Sequence, residues 1–130
     1  MPKLEAEAAI LGVLSVTKAA YGIYAHTILA EKAGHTAEEV KSMLAGICPT
    51  TVAERQAVIF NLAVKLAETS CPLDKKSFDD AASVLGLEGV AAAIQQIAAF
   101  MYASIMLNAG DVSVPTTVNA RMEETDEDLH

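Results

Sequence analysis

Leu4 to Gly34 reads LEAEAAILGVLSVTKAAYGIYAHTILAEKAG, and whether it forms one helix or two decides the fold. Leu4, Ala8, Leu11 and Leu14 recur at intervals of three and four, the spacing of one helix face. Glu5 and Glu7 stand in the first turns, where the helix macrodipole favours acids. Propensity alone would carry this helix from residue 3 through Ala33. The weakest segment is Ser15-Val16-Thr17-Lys18, where two β-branched residues and a serine lower helix propensity, although no Gly or Pro enforces a break. The distinction matters for His26, the histidine inside a strongly apolar helix. In one straight helix it would stand ~28 Å from Glu7, at about 1.5 Å of rise per residue, and the two could not share a site.

The rest of the chain reads as helices joined by short connections. Gly34 is a natural left-handed C-cap, with Lys32 in the last turn before it. Thr36 with Glu39 forms a capping box for a short helix over 36–45, and Thr51 with Glu54 repeats the pattern for a longer one over 51–69. Ala53, Ala57, Phe60, Val64 and Ala67 mark the apolar stripe of that longer helix, leaving Arg55, Lys65 and Glu68 to solvent. Asp74 caps a helix over 74–85, Gly86 ends it, and a last helix follows over 88–107. Apart from Glu88, Gln95, Gln96 and Ser104, this last helix is apolar around most of its circumference, more than the other helices of one small chain can cover. That predicts a homo-oligomer. Val112, Val114 and Pro115 read as a short extended arm, and from Asn119 the sequence turns acidic and predicts a disordered tail. The domain reading is therefore a helical unit over 1–115 followed by an acidic tail over 116–130.

Composition narrows the function classes. The chain has 130 residues, enough for one domain, with 52% hydrophobic and only 5% aromatic residues, so a core of Ala, Val, Leu, Ile and Met in close-packed helices is expected. The net charge is -8 and the basic residues are scattered singly, which argues against contacts with nucleic-acid phosphates or an anionic membrane. The apolar run from Ala8 to Val16, interrupted by Ser15, falls short of the ~18 residues of a membrane span, and the N-terminus lacks the basic start of a signal peptide. The expected location is the cytoplasm. Cys48 and Cys71 each stand beside a proline in a connection, read as reduced structural thiols rather than a redox pair or metal ligands. No metal site is expected, since no cluster supplies three convergent ligands.

The layout Glu7, Ala19-Ala20-Tyr21-Gly22, His26 and Ala30-Glu31-Lys32-Ala33-Gly34 resembles the carboxymuconolactone decarboxylase and alkylhydroperoxidase D-like superfamily. Its members carry a glutamate, then an aromatic-rich or Cys-X-X-Cys segment, then a histidine beginning a helix that ends in A-x-x-A-G. Later stretches over 36–44, 53–68 and 78–107 resemble that family's later helices, so the resemblance covers roughly 4–115. It implies an all-α bundle of about six helices, alkylhydroperoxidase D-like and closed by oligomerisation as a homotrimer or homohexamer. It also requires a break between Glu7 and His26, placed here near 15–18, with helices over 3–15 and 19–33. Ala19 and Gly22 occupy the positions of the Cys-X-X-Cys pair, which removes thiol chemistry there. Tyr21-Gly22-Ile23 departs from the Tyr-Glu-Trp common in the thiol-free branch, with the loss of a carboxylate.

What the resemblance implies for chemistry is a cofactor-independent, decarboxylase-like enzyme acting on a small carboxylated lactone or related acid. An unperturbed imidazole exchanges protons near neutral pH, so His26 would be the proton donor and acceptor, with Glu7 orienting or deprotonating it. Tyr21 and Tyr24 would hydrogen-bond the substrate's carboxylate or enolate. Each has a plainer alternative: a histidine packed between helices, a first-turn carboxylate facing water, and tyrosines that bury a ring and leave the hydroxyl wet. Lys18 could assist a carboxylate from the break, or simply reach out of an apolar helix. His35 and His130 are expected to be solvated. The rival reading is a non-catalytic oligomeric or small-ligand-binding member of the same fold, and a thiol reductase built on Cys48 and Cys71 is the weakest.

Overall fold

The structure, a computed structural model, describes residues 1–69 and 71–115. It contains five helices, α1 (Lys3–Thr17), α2 (Ala20–Ala33), α3 (Ala37–Leu44), α4 (Glu54–Glu68) and α5 (Lys75–Ala109), and no strand among the described residues. The fold is all-α, as composition and periodicity imply. α1 occupies the centre. Every residue from Glu7 to Ser15 is buried, and α1 packs against all four other helices. Its apolar residues lie on every side, and a helix of that kind is stable only when enclosed.

The chain does break between Glu7 and His26. α1 ends at Thr17, Lys18 adopts the left-handed conformation (φ 56°, ψ 27°), and Ala19 is extended at the start of α2. Left-handed backbone costs a residue with a Cβ about 1 kcal/mol, and α5 supplies the fixings that hold it. Asn108 Nδ2 donates to the Thr17 carbonyl at 2.8 Å, and Thr17 Oγ1 bonds Ser104 Oγ at 3.1 Å. The turn is thus set by contacts with a segment distant in sequence.

Packing falls into three connected clusters. Ala9 and Val13 of α1 meet Ile59 and Ala63 of α4 and Val90, Ala93 and Ile97 of α5. Ala8 and Leu11 meet Val40 and Met43 of α3, Ala30 of α2 and Phe60 of α4, and Ile10 and Leu14 pack with Ala19, Ile23, Phe100 and Leu107. α1 and α4 touch backbone to side chain at Gly12, where an added methyl would lie 2.7 Å from Ala63 Cβ and 2.9 Å from the Phe60 carbonyl oxygen.

Several local expectations are corrected. The two helices expected on either side of Gly86 are joined end to end within α5, across a kink at that residue. Gly86 is the non-helical point of α5 (φ 73°, ψ 167°), a conformation glycine tolerates without a Cβ clash. The Thr36–Glu39 capping box is present, but Thr51 forms none with Glu54: α4 begins at Glu54 without a side-chain cap. Instead Thr51 Oγ1 donates to Glu39 Oε2 at 2.6 Å while Glu39 Oε1 accepts from the Thr36 amide at 2.9 Å. The buried residues of α4 are Ile59, Phe60, Leu62 and Ala63, sharing only Phe60 with the expected stripe, since α4 is covered from two sides by α1 and α5. Arg55 and Lys65 are exposed but paired, with Glu5 at 3.2 Å and Asp74 at 2.6 Å. Asp74 caps α5 as expected, accepting from the Ser77 amide.

α5 covers only part of itself. Val90 and Ile97 are buried, but Tyr102 (70%), Ile105 (62%) and Met106 (60%) are largely exposed. By length and composition α5 would suffice to cross a membrane, a feature that Gln95, Gln96 and Ser104 obscure in the sequence. Val112 and Val114 of the expected arm are exposed. The acidic tail over 116–130 lies outside the described residues.

Two tests follow from this packing. Gly12→Ala should lower stability by about 1–3 kcal/mol by overpacking the α1–α4 contact, seen as a fall in Tm of several degrees; an unchanged or higher Tm would mean the helices are not in contact there. Hydrogen bonds from Thr51 and Thr36, with the charge of His35, hold the Glu39 carboxyl below its usual range against the opposing effect of burial. A depressed carboxyl stabilises the fold above the ordinary carboxylate range and loses that contribution as pH falls through its own pKa. Glu39→Gln should therefore destabilise at neutral pH and converge with the parent as the pH is lowered through the carboxylate range; a Tm difference independent of pH would contradict this origin.

Candidate active site

The fold brings Glu7 and His26 together. Glu7 is on α1 and His26 on α2, and the His26 Nδ1 to Glu7 Oε2 distance is 2.9 Å. Both side chains are largely enclosed, 16% exposed for His26 and 12% for Glu7. An ionised carboxylate can only accept, so with Glu7 ionised the ring carries its proton on Nδ1 and donates it. In the neutral ring that leaves the Nε2 lone pair as the free acceptor.

Two features hold the histidine in place. One turn earlier on α2, Gly22 is buried, and a Cβ there would meet Leu14 Cδ2 at 2.8 Å and Leu107 and Phe100 at 3.6 Å. The absent side chain lets α2 settle close to α1 and α5. Phe100 of α5 then places its ring edge-on to the imidazole, with centroids 4.8 Å apart and planes at 84°. Sequence reasoning missed Phe100, whose distance along the chain gave no signal.

Tyr21 and Tyr24 stand on α2, the helix that carries His26. They are 40% and 39% exposed and pack on one another, centroids 6.1 Å apart. Of the four expected site residues, Glu7 lines a cleft of about 280 Å3 between the start of α1 and the end of α2, whose other lining residues are Lys3, Ala6, Leu29, Lys32 and Ala33. Lys3 and Lys32 were not expected here, although a signal exists: Lys3, Ala6 and Glu7, and likewise Leu29, Lys32 and Ala33, follow the spacing of one helix face. Lys18 serves as the C-cap of α1. A separate cleft of about 300 Å3 between α4 and α5 includes Asn61, Lys65, Ser77 and Asp80, but its lysine is already bonded to Asp74 and Ser77.

His35 is not solvated. It is buried, its Nε2 donates to the Leu4 carbonyl at 3.1 Å, and its Nδ1 lies 3.7 Å from Glu39 Oε1. The turn after Gly34 folds it beneath the start of α1, making it a structural link between α1 and α3. His130 lies outside the described residues. Cys48 is partly buried and Cys71 exposed, both free. Burial pushes the Cys48 thiol up, which disfavours the nucleophilic thiolate. Among the described residues no group of three His, Cys, Asp or Glu side chains gathers as metal ligands.

Comparison with protein-family models, curated proteins and solved structures finds no match to this chain.

Proposed function

We propose that the protein is a thiol-free, carboxymuconolactone decarboxylase-like enzyme that acts without a cofactor on a small carboxylated lactone or related acid. The single observation carrying this reading is the 2.9 Å contact between His26 Nδ1 and Glu7 Oε2, formed by residues from two different helices. Loss of CO2 leaves an electron pair on the substrate, which a conjugated carbonyl takes up as an enolate. A proton must then be returned to carbon. His26 in its imidazolium form would give that proton, with Glu7 stabilising the charged ring and fixing its orientation. Tyr21 and Tyr24 would supply hydrogen bonds to the enolate or carboxylate, which requires that their exposed face be closed by a neighbouring subunit.

The proposed assembly is a homotrimer or homohexamer. Its support is the exposure of large apolar side chains, Tyr21, Tyr24 and Ile28 on α2 and Tyr102, Ile105 and Met106 on α5; soluble monomers rarely leave large apolar patches uncovered. The proposed location is the cytoplasm, with neither nucleic acid nor membrane as a partner. The second reading, a non-catalytic ligand-binding member of the fold, is favoured by the exposure of the two tyrosines.

CO2 release from a carboxylated lactone tests the chemistry. His26→Asn and Glu7→Gln should each lower turnover by about 10²–10⁴-fold, whereas Cys48→Ser with Cys71→Ser should leave it unchanged; turnover indifferent to the loss of His26 would remove the enzyme reading. Light scattering tests the assembly. A mass of three or six chains of 13.6 kDa is expected, with Ile105→Asp releasing smaller species, and a monomeric parent protein would contradict it.

A further inference from the structure

We infer that the cleft between the start of α1 and the end of α2 binds a small carboxylic acid with an apolar body and a hydroxyl group, its carboxylate held between Lys3 and Lys32 and its hydroxyl donating to Glu7. The binding step stands on the cleft; any proton transfer that follows it rests on the reading of Glu7 and His26 as an acid/base pair. The chain carries a net charge of -8, and several of its cations are consumed by neighbours: Arg55 by Glu5, Lys65 by Asp74, Lys75 by Asp79 and Lys76 by Asp80. Lys3 and Lys32 enter no ion pair among the described residues, yet they border the same cleft of about 280 Å3. Two lysines lining one small concavity offer an anion two charge-assisted contacts.

The walls specify the rest of the ligand. Ala6, Leu29 and Ala33 are apolar and leave Glu7 as the acceptor among the lining residues. Glu7 Oε2 accepts the hydrogen bond from His26 Nδ1, and Oε1 has no hydrogen-bond partner among the described residues while not being sealed from solvent. A carboxylate oxygen accepts only, so the ligand must bring the donor. At ~30 Å3 for a water-sized group the cleft takes roughly nine such groups, which sets the size of the acid.

The test is an NMR titration of the full chain, labelled with 15N, using 2-hydroxyhexanoate as the probe. Saturable shifts are expected at the amides of Lys3, Glu7, Leu29 and Lys32. Hexanoate, without the hydroxyl, should bind several-fold more weakly, and the uncharged methyl ester of the probe about tenfold more weakly. Lys3→Gln and Lys32→Gln should each weaken the probe about fivefold or more, while Lys41→Gln, an exposed lysine elsewhere, should not. Shifts confined to the α4–α5 cleft, or affinity unchanged in both cleft variants, would overturn the inference. Probe binding of the expected kind with turnover unimpaired in Glu7→Gln and His26→Asn would keep the cleft and remove the acid/base reading. Turnover that needs Glu7 and His26 but ignores Lys3→Gln and Lys32→Gln would do the reverse.

Discussion

A helix that is apolar on every side has to be enclosed, and α1 is that helix. From Glu7 to Ser15 no residue reaches solvent appreciably, so the remaining helices are arranged as its cover. The requirement explains why α2 folds back instead of continuing α1, because an extended helix would leave Ile10 and Leu14 uncovered where Ala19, Ile23 and Leu107 now pack. It also explains a non-glycine residue in the left-handed region at Lys18. The cost of about 1 kcal/mol is small beside the ~1.5–3 kcal/mol gained for each large apolar side chain removed from water.

Enclosure constrains the polar groups of α1 as well. Ser15 bonds to the Gly12 carbonyl within its own helix at 2.7 Å, but a glutamate cannot satisfy itself that way. Glu7 needs a donor from another helix, and His26 is that donor. Leaving such a buried acceptor unpaired costs about 1–3 kcal/mol, more for a charged group, so the pair contributes to the α1–α2 packing whatever chemistry it performs. The same contact that completes the fold thereby creates a titratable pair at a cleft that Lys3 and Lys32 also line. That coincidence of structural need and chemical capacity is the basis of the functional proposal.

Much of this was legible in the sequence because it depends on local signals. The three-and-four spacing of apolar residues, the Thr36–Glu39 box, the Asp74 cap and the glycines at 34 and 86 each mark a feature found in the structure. The break at residues 15–18 was legible only as a weak point, since the groups that fix it, Ser104 and Asn108, come from α5. Phe100 beside His26 and the pairing of Thr51 with Glu39 escaped for the same reason: they are contacts between elements. The burial of His35 escaped too, because a histidine after a C-cap glycine looks solvated until α1 is placed above it. The exposure of Tyr21 and Tyr24 depends on the face α2 turns outward, which α2's nearly uniform apolar composition leaves undefined.

The central claim is that the His26 ring is held by Glu7 through Nδ1. The most direct measurement is the 15N NMR of the His26 imidazole at a pH where the ring is neutral, in the parent protein and in Glu7→Gln. The account predicts the Nδ1-protonated tautomer in the parent and a change in its Nδ1 signal in the variant. A neutral ring protonated on Nε2, with an Nδ1 signal unaffected by Glu7→Gln, would contradict it.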